Sequence, residues 1–233
     1  MFGLDNWIAG LSSGASFAVV LLVAVLLGLR HATDPDHMAA VTTLITSGKS
    51  RAARSAALLG AWWGIGHALT LVLFGIPILV ADRYLPERVD QGAETAVGVL
   101  IVFLAIRLLV RWRHGYFDLH AHPHPTQRHR HAVRTPAGAF GIGLVHGMGG
   151  SAGVAVLLLA AIPSETVAVA SLVVLALFTA VSMTIVTSGF GWTLSLRPVA
   201  TTVTTSIPAI GLASLAFGLW YSAAAWGAIP YPF

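Results

Sequence analysis

The stretch LGLRHATDPDHMAAV, residues 27–41, places a dense group of ionisable side chains at the end of a long apolar run. Two histidines, two aspartates and a proline fall within seven positions: His31, Asp34, Pro35, Asp36 and His37. A carboxylate at the centre of a membrane span costs about 2.5–3.5 kcal/mol on insertion scales, so such a group in an apolar run indicates a function. The rest of the sequence decides whether this stretch lies in a membrane.

Composition predicts a membrane protein. Of 233 residues, 56% are hydrophobic and 9% are charged, whereas about 25% are charged in a typical soluble domain. Six apolar stretches are long enough to cross a hydrocarbon core of about 30 Å. They lie at about 15–32, 56–80, 93–112, 136–161, 165–188 and 207–227. We therefore expect an all-α membrane protein with six transmembrane helices, in which residues 1–233 form a single domain.

The basic residues indicate how the chain is oriented. Eleven of the thirteen Lys and Arg residues lie on one predicted side, and the other side holds only Arg83 and Arg88. Because short cytoplasmic loops collect Lys and Arg, we predict that loops 47–55, 111–135 and 189–206 are cytoplasmic and that both termini are outside. The net charge of +4 reflects this orientation, so we expect a lipid bilayer and no nucleic acid as partner.

A short internal sequence similarity predicts a repeat. GLRH at 28–31 in the first apolar run is matched by GLVH at 143–146 in the fourth. Six helices then form two sets of three, and because three is odd the second set is inverted relative to the first. This 3+3 inverted repeat is the plan of many secondary transporters.

Pro35 predicts that the first helix is interrupted at the His/Asp motif. Proline offers no N–H and disfavours helical backbone at the preceding Asp34. An interrupted helix allows both imidazoles and both carboxylates to converge and frees backbone carbonyls, as in transporter helices that surround a cation.

The side chains themselves favour a metal ion as ligand. Imidazole nitrogen and carboxylate oxygen, in a chain without cysteine, suit borderline dications such as Ni²⁺, Co²⁺ or Zn²⁺. Two other interpretations stay open. The same residues could cap the first helix at the cytoplasmic interface, or form a proton relay.

Two further intramembrane histidines are candidate ligands. His67 lies well inside the second apolar run, after the small-residue pair Gly60 and Gly64, which permits close approach of another helix. His146 lies in the Gly-rich fourth run and, if the repeat holds, meets His31 near the pseudo-twofold centre. The alternative for each is an ordinary packing or hydrogen-bonding histidine.

A His-rich segment interrupts the pattern of spans. The sequence HGYFDLHAHPHPTQRHRH, residues 114–131, holds six histidines within a cytoplasmic loop predicted at 113–135. Its proline and polar content predicts a flexible loop, and such tracts commonly bind metals. We interpret it as a metal buffer or sensor, with an ordinary basic linker as the alternative.

These motifs resemble those of a known family. H-A-x-D-x-D-H at 31–37 looks like the signature of the nickel/cobalt transporter family (NiCoT), and the Gly-His pair at 66–67 resembles that family's Gly-His-Ser element, with alanine in place of serine. The family's later Asp-Thr-Ala-Thr-Glu element is absent. GLVHGMGGSAG at 143–153 instead resembles the shorter six-helix NicO-type and urease-associated permeases.

The resemblance covers most of the predicted six-span core and implies both a function and a set of ligands. The implied metal ligands are His31, Asp34, Asp36, His37 and His67, with His146 carried over through the NicO-like motif alone. The implied activity is secondary transport of Ni²⁺ or Co²⁺ across the cytoplasmic membrane, with import favoured, no enzymatic activity and no prosthetic group. A metallochaperone or a metalloenzyme maturation protein is a candidate partner at the His-rich loop. An efflux protein and a non-transporting metal-binding accessory protein are the alternatives.

Overall fold

The computed structural model describes residues 17–46, 53–81, 86–114, 135–149 and 162–230, together with 156, 159 and 160. All regular structure in these ranges is helical, which confirms the all-α prediction for this part of the chain. The helices are α1 (Phe17–His31), α2 (Pro35–Thr46), α3 (Ala53–Ala81), α4 (Glu87–Arg113), α5 (Pro136–His146), α6 (Glu165–Thr193) and α7 (Arg197–Ala224). The His-rich segment lies outside the described residues apart from His114.

Most of these helices could cross a membrane. By length and composition α3, α4, α6 and α7 each qualify, and α1 with α2 qualifies as one bent pair. The described helices thus account for four spans, or five with the bent pair, where the sequence predicted six. The fourth predicted span is helical over Pro136–His146 and then turns, and most of its remainder lies outside the described residues. The chain is a multi-pass helical membrane protein.

The predicted interruption of the first helix is observed. α1 ends at His31, and α2 leaves it at an angle of 44°. The backbone N–H groups of Thr33 and Asp34 donate to the carbonyls of Arg30 and His31, at 2.9 and 3.1 Å, which closes a turn. Pro35 then begins α2, a first-turn position where its missing N–H costs nothing. The bend therefore has a local cause in the sequence.

Glycines set the closest helix contacts. A Cβ on Gly28 of α1 would lie 2.6 Å from the Leu175 carbonyl oxygen of α6. A Cβ on Gly143 of α5 would lie 2.9 Å from the His67 backbone nitrogen of α3. Small residues allow such close backbone approach in membranes. α3 and α6 also pack against each other, so α1, α6, α3 and α5 form a continuous series around the bend.

Two apolar clusters lie on opposite sides of the bend. The first apolar cluster consists of Val23, Ala24, Leu27, Leu71, Val156, Leu159, Leu172, Leu175 and Ala176. The second apolar cluster consists of Ala32, Ala40, Val41, Ala56, Leu59, Trp63, Leu104, Ala139, Ile142 and Met183. In the first cluster the α1 residues come before His31, and Leu71 comes after His67 in α3. In the second cluster the α2 residues come after His31, and the α3 residues come before His67. The level of the two histidines therefore lies between two apolar layers.

Candidate metal centre

The end of α1 brings an imidazole, a carboxylate and a guanidinium together. His31 Nδ1 lies 3.2 Å from Asp34 Oδ2. Asp34 Oδ1 lies 2.9 Å from the Arg30 guanidinium, within ion-pair distance. Asp34 is 2% exposed, so its carboxylate makes both interactions away from solvent. Asp34 thus compensates the positive charge of Arg30 and orients the ring of His31.

His37 is the centre of the histidine cluster. It lies in the first turn of α2, and its Nδ1 is 3.3 Å from Asp36 Oδ1. Its ring centre is 4.7 Å from that of His31, 5.0 Å from that of His67 and 4.4 Å from that of His146. The bend after α1 makes this possible, because it turns the first residues of α2 toward α3 and α5.

His67 joins the cluster from the middle of α3. Gly66, the residue before it, contacts the Phe140 carbonyl of α5 so closely that no side chain would fit there. His67 Nε2 lies 3.1 Å from His31 Nε2. Without an ion, one of these nitrogens donates a proton to the other, since two facing lone pairs repel. With a cation between them, both lone pairs can serve as ligands.

His146 reaches the same cluster from the end of α5. Thr135 caps the start of this helix by accepting the Gly138 N–H at 3.0 Å. At the other end His146 Nε2 lies 3.3 Å from Asp36 Oδ2. Asp36 therefore uses one oxygen toward His37 and the other toward His146. The inverted repeat predicted that His146 meets His31; in the structure His146 contacts Asp36 and His37 of α2 and Trp63 and His67 of α3.

Two groups of three side chains could each hold a metal ion. They are His31 with His37 and His67, and Asp36 with His37 and His146. In each group one ligand atom from every residue lies within 4.8 Å of the others. The five residues are at most 3% exposed, and His37 belongs to both groups, so they form one continuous cluster. Among the described residues Asp34 belongs to neither group and touches the cluster through His31.

The cluster has unused nitrogens. Three imidazole nitrogens of the cluster have no hydrogen-bond partner among the described residues: His37 Nε2, His67 Nδ1 and His146 Nδ1. A buried polar group left unpaired costs about 1–3 kcal/mol. Imidazole nitrogens and carboxylate oxygens together form the ligand set of a borderline dication. A bound dication would take one nitrogen from each imidazole and would offset the negative charge of Asp36.

Trp63 is a site neighbour that sequence reasoning missed. It is 1% exposed, and its ring centre lies 5.6 Å from that of His37 and 5.7 Å from that of His146. It belongs to the second apolar cluster and closes that side of the site. The available signal was its position four residues before His67, on the same face of α3. Within a span, however, a tryptophan is indistinguishable from ordinary apolar bulk.

The helices and the buried cluster together define a class: a multi-pass helical membrane protein with a candidate metal centre in its core. Comparison with known proteins agrees with this class. No family model matches the chain. No solved structure matches it either.

Three curated relatives share sequence with the chain. It is 32% identical over 143 residues to the urease accessory protein UreH of a Bacillus species, a match covering 59% of this chain and 61% of that protein. It is 35% identical over 112 residues to the high-affinity nickel transport protein of Cupriavidus necator, covering 47% and 31%. It is 28% identical over 127 residues to a putative nickel/cobalt efflux system of Methanocaldococcus jannaschii, covering 54% of each.

These relatives confirm the resemblance that the motifs predicted: the chain is related to the nickel/cobalt permease family. The matched stretch spans less than two thirds of each relative's length. The relatives are named as transport or accessory proteins rather than as enzymes.

Proposed function

We propose that this protein is a secondary permease that moves Ni²⁺ or Co²⁺ inward across the cytoplasmic membrane. The observation that carries the proposal is the buried cluster of His31, Asp36, His37, His67 and His146 at the bend between α1 and α2. Ionisable groups in a membrane-embedded core are costly, so a buried cluster of them indicates a functional site.

The chemistry of the cluster favours a borderline dication. Four imidazoles and two carboxylates supply nitrogen and oxygen, and the chain contains no cysteine to offer sulfur. Mg²⁺ prefers oxygen ligands and water, and Cu(I) prefers sulfur. Asp36 supplies a negative charge against the positive charge of a dehydrated ion, and Asp34 neutralises the Arg30 guanidinium beside the site. The imidazoles then select Ni²⁺ or Co²⁺ over the harder cations.

A six-span inverted repeat supports transport rather than static binding. Gly28 and Gly143 occupy matching positions in the GLRH and GLVH motifs, and each packs closely on a neighbouring helix. Gly28 of α1 contacts α6, and Gly143 of α5 contacts α3. If α1 corresponds to α5 and α3 corresponds to α6, the repeat relates the contact of α1 with α6 to the contact of α5 with α3. The fourth span would then run through residues 136–161, with a break after His146 like that after His31.

The same correspondence between helices relates the two apolar clusters. Ala24 lies four residues before Gly28, as Ala139 lies four residues before Gly143. Leu71 lies 18 positions after the start of α3, as Met183 lies 18 positions after the start of α6. The two apolar clusters are therefore equivalent under the repeat, and each closes one side of the ion site. Opening one while the other stays closed exposes the ion to one side of the membrane at a time.

The charge distribution sets the orientation that we propose. Basic residues collect in loops 47–55, 111–135 and 189–206, which places these loops in the cytoplasm and both termini outside. The His-rich segment then receives imported metal and passes it to a metallochaperone or a metalloenzyme maturation protein. Because the chain lacks cysteine, single cysteines at position 50 and position 87 test this. A thiol reagent should label the cysteine at position 50 from the cytoplasmic side and the cysteine at position 87 from the outer side.

Energetics favour import without a second ion. A dication entering an inside-negative compartment gains about 2 × 2.3, or about 4.6 kcal/mol, per 100 mV. The chain has no Walker-type nucleotide-binding loop to use ATP by itself. Voltage alone can therefore drive uptake.

Flux in proteoliposomes tests the proposal. Purified protein is reconstituted, a potassium diffusion potential of either sign is imposed, and uptake of Ni²⁺, Co²⁺ and Zn²⁺ is measured with wild type and His37→Gln. We expect voltage-driven uptake of Ni²⁺ or Co²⁺ by wild type and none by His37→Gln. Metal binding without flux would instead identify an accessory protein, in line with the name of the UreH relative. Lowered metal content in cells expressing the protein would identify an efflux system, in line with the name of the archaeal relative.

A further inference from the structure

Thr179 of α6 is a buried hydroxyl to which the transport proposal assigns no role. The residue is fully buried, and among the residues that the structure describes its Oγ1 has no hydrogen-bond partner. Other buried threonines satisfy their hydroxyls on their own helix. Thr70 donates to the Gly66 carbonyl at 3.0 Å, and Thr187 donates to the Met183 carbonyl at 2.6 Å. Since burying an unpaired hydroxyl costs about 1–3 kcal/mol, Thr179 calls for a partner that the helix does not supply.

One face of α6 around Thr179 contacts α1. A Cβ on Gly28 would lie 2.6 Å from the Leu175 carbonyl oxygen and 3.1 Å from the Thr179 backbone nitrogen. One turn further on, Ser182 Oγ donates to the Leu29 carbonyl at 2.7 Å. Thr179 therefore lies at the contact of α6 with the end of α1.

The neighbouring face of α6 contacts α3. A Cβ on Gly64 would lie 2.9 Å from Ala180 Cα, and a Cβ on Gly60 would lie 3.1 Å from the Met183 carbonyl oxygen. Thr179 directly precedes Ala180 and lies one turn before Met183. At about 100° per residue it stands on the edge of α6 between the face on α1 and the face on α3. This edge borders the groove between those two helices.

The same groove is where two ligands of the metal centre meet. His31 lies three residues beyond Gly28 on α1, and His67 lies three residues beyond Gly64 on α3. Their Nε2 atoms are 3.1 Å apart. Both ring nitrogens of His31 face other side chains. His67 Nδ1, in contrast, has no hydrogen-bond partner among the described residues, and the same holds for the Thr179 hydroxyl at this junction.

On the basis of the proposed metal transport, we propose that Thr179 is a positioning residue. Its hydroxyl accepts the Nδ1–H of His67, directly or through one water. This hydrogen bond places the proton on Nδ1 and leaves Nε2, beside His31, as the nitrogen that faces the ion. Histidines that bind metals almost always give their second N–H to such a partner, whose loss costs about 10–100-fold in metal affinity.

The proposed repeat pairs Thr179 with His67. His67 lies 14 positions after the start of α3, and Thr179 lies 14 positions after the start of α6. The two residues are thus equivalent positions on the two central helices. One carries the ligand, and the other carries the group that supports the ligand.

Cobalt binding to the purified full-length protein tests this role, because visible absorption of Co²⁺ reports the ligands around the ion. Wild type, Thr179→Val, Thr179→Ser and Thr187→Val are titrated with Co²⁺, and His37→Gln supplies the background from the His-rich segment. We expect Thr179→Val to weaken Co²⁺ binding by about 10–100-fold and to shift the spectrum. Thr179→Ser should restore both. Thr187→Val is the matched control, since its hydroxyl is satisfied by its own helix, and it should behave as wild type.

Several outcomes would overturn the inference. Wild-type affinity and spectrum in Thr179→Val would show that the hydroxyl supports no ligand. An equal loss in Thr179→Ser would show that packing, and not the hydroxyl, matters. If wild type binds no more Co²⁺ than His37→Gln, the proposed function fails together with this inference. Should Thr179→Val not accumulate in the membrane, Thr179→Ala removes the same hydroxyl and decides the question in the same way.

Discussion

His31 and His67 are 36 positions apart in the sequence, yet their Nε2 atoms lie 3.1 Å apart in the core of the protein. One histidine ends α1, and the other stands mid-way along α3. Because the two proposed ligands belong to different helices, a displacement of α1 relative to α3 would separate them. Ion binding at this cluster would thereby depend on the arrangement of the helices, as the proposed transport requires.

Replacing Asp36 by asparagine should abolish Ni²⁺ accumulation in cells. Asp36 is fully buried and holds both His37 and His146, each at 3.3 Å, so the change removes a negative charge and the acceptor oxygen for one of the two imidazoles. Radioactive Ni²⁺ uptake, normalised to protein in the membrane, measures the effect. Glu87→Gln, an exposed carboxylate at the start of α4, is the matched control and should keep wild-type uptake.

Asp34→Asn should also abolish accumulation while expression persists. The sequence predicted Asp34 as a direct ligand, and the structure places it between Arg30 and His31. In either role the neutral amide would no longer compensate the Arg30 charge, which lies close to the proposed dication site. Uptake assays with immunoblots of the membrane fraction check this, and normal uptake by the variant would refute the role of the carboxylate.

Gly143→Ala should weaken both folding and metal binding, whereas Gly141→Ala should not. A Cβ at Gly143 collides with the backbone of α3 at Trp63 and His67, but a Cβ at Gly141 meets nothing within 4 Å. Overpacking of this kind costs about 1–3 kcal/mol. Thermal unfolding in detergent and Co²⁺ titration compare the two variants. Equal melting temperatures would argue against the close packing of α5 on α3.

Deleting residues 115–131 should leave voltage-driven Ni²⁺ flux in proteoliposomes intact. The ligands proposed for transport all lie in the helices or in the turn between α1 and α2, and the deleted segment holds five of the six histidines of the His-rich tract. The amount of metal bound per protein should fall, which equilibrium dialysis measures. Loss of flux in the deletion variant, with normal reconstitution, would assign the segment a direct part in transport.

Local sequence signals predicted the parts of the site that lie close together in the chain. Pro35 predicted the bend, and the bend brings His31, Asp36 and His37 to one place. The cost of ionisable groups in lipid identified His67 and His146 as candidates, and the structure places both in the same cluster.

Features that depend on contacts between distant helices could not be predicted. That His146 meets Asp36 depends on how α5 packs on α3, which the glycine contacts decide. Trp63 and Thr179 look like ordinary span residues until their neighbours are known. The six-span count stays a prediction, because most of the second half of the fourth apolar run lies outside the described residues.

X-ray absorption at the nickel edge shows whether the helix cluster holds the ion. The full-length protein and the variant lacking residues 115–131 are loaded with one Ni²⁺ per chain, and each is compared with its His37→Gln counterpart. We expect imidazole nitrogens together with oxygen around nickel in both proteins, and loss of this signature with His37→Gln. A nickel environment that is unchanged by His37→Gln, or that vanishes with the deleted segment, would contradict the proposed site.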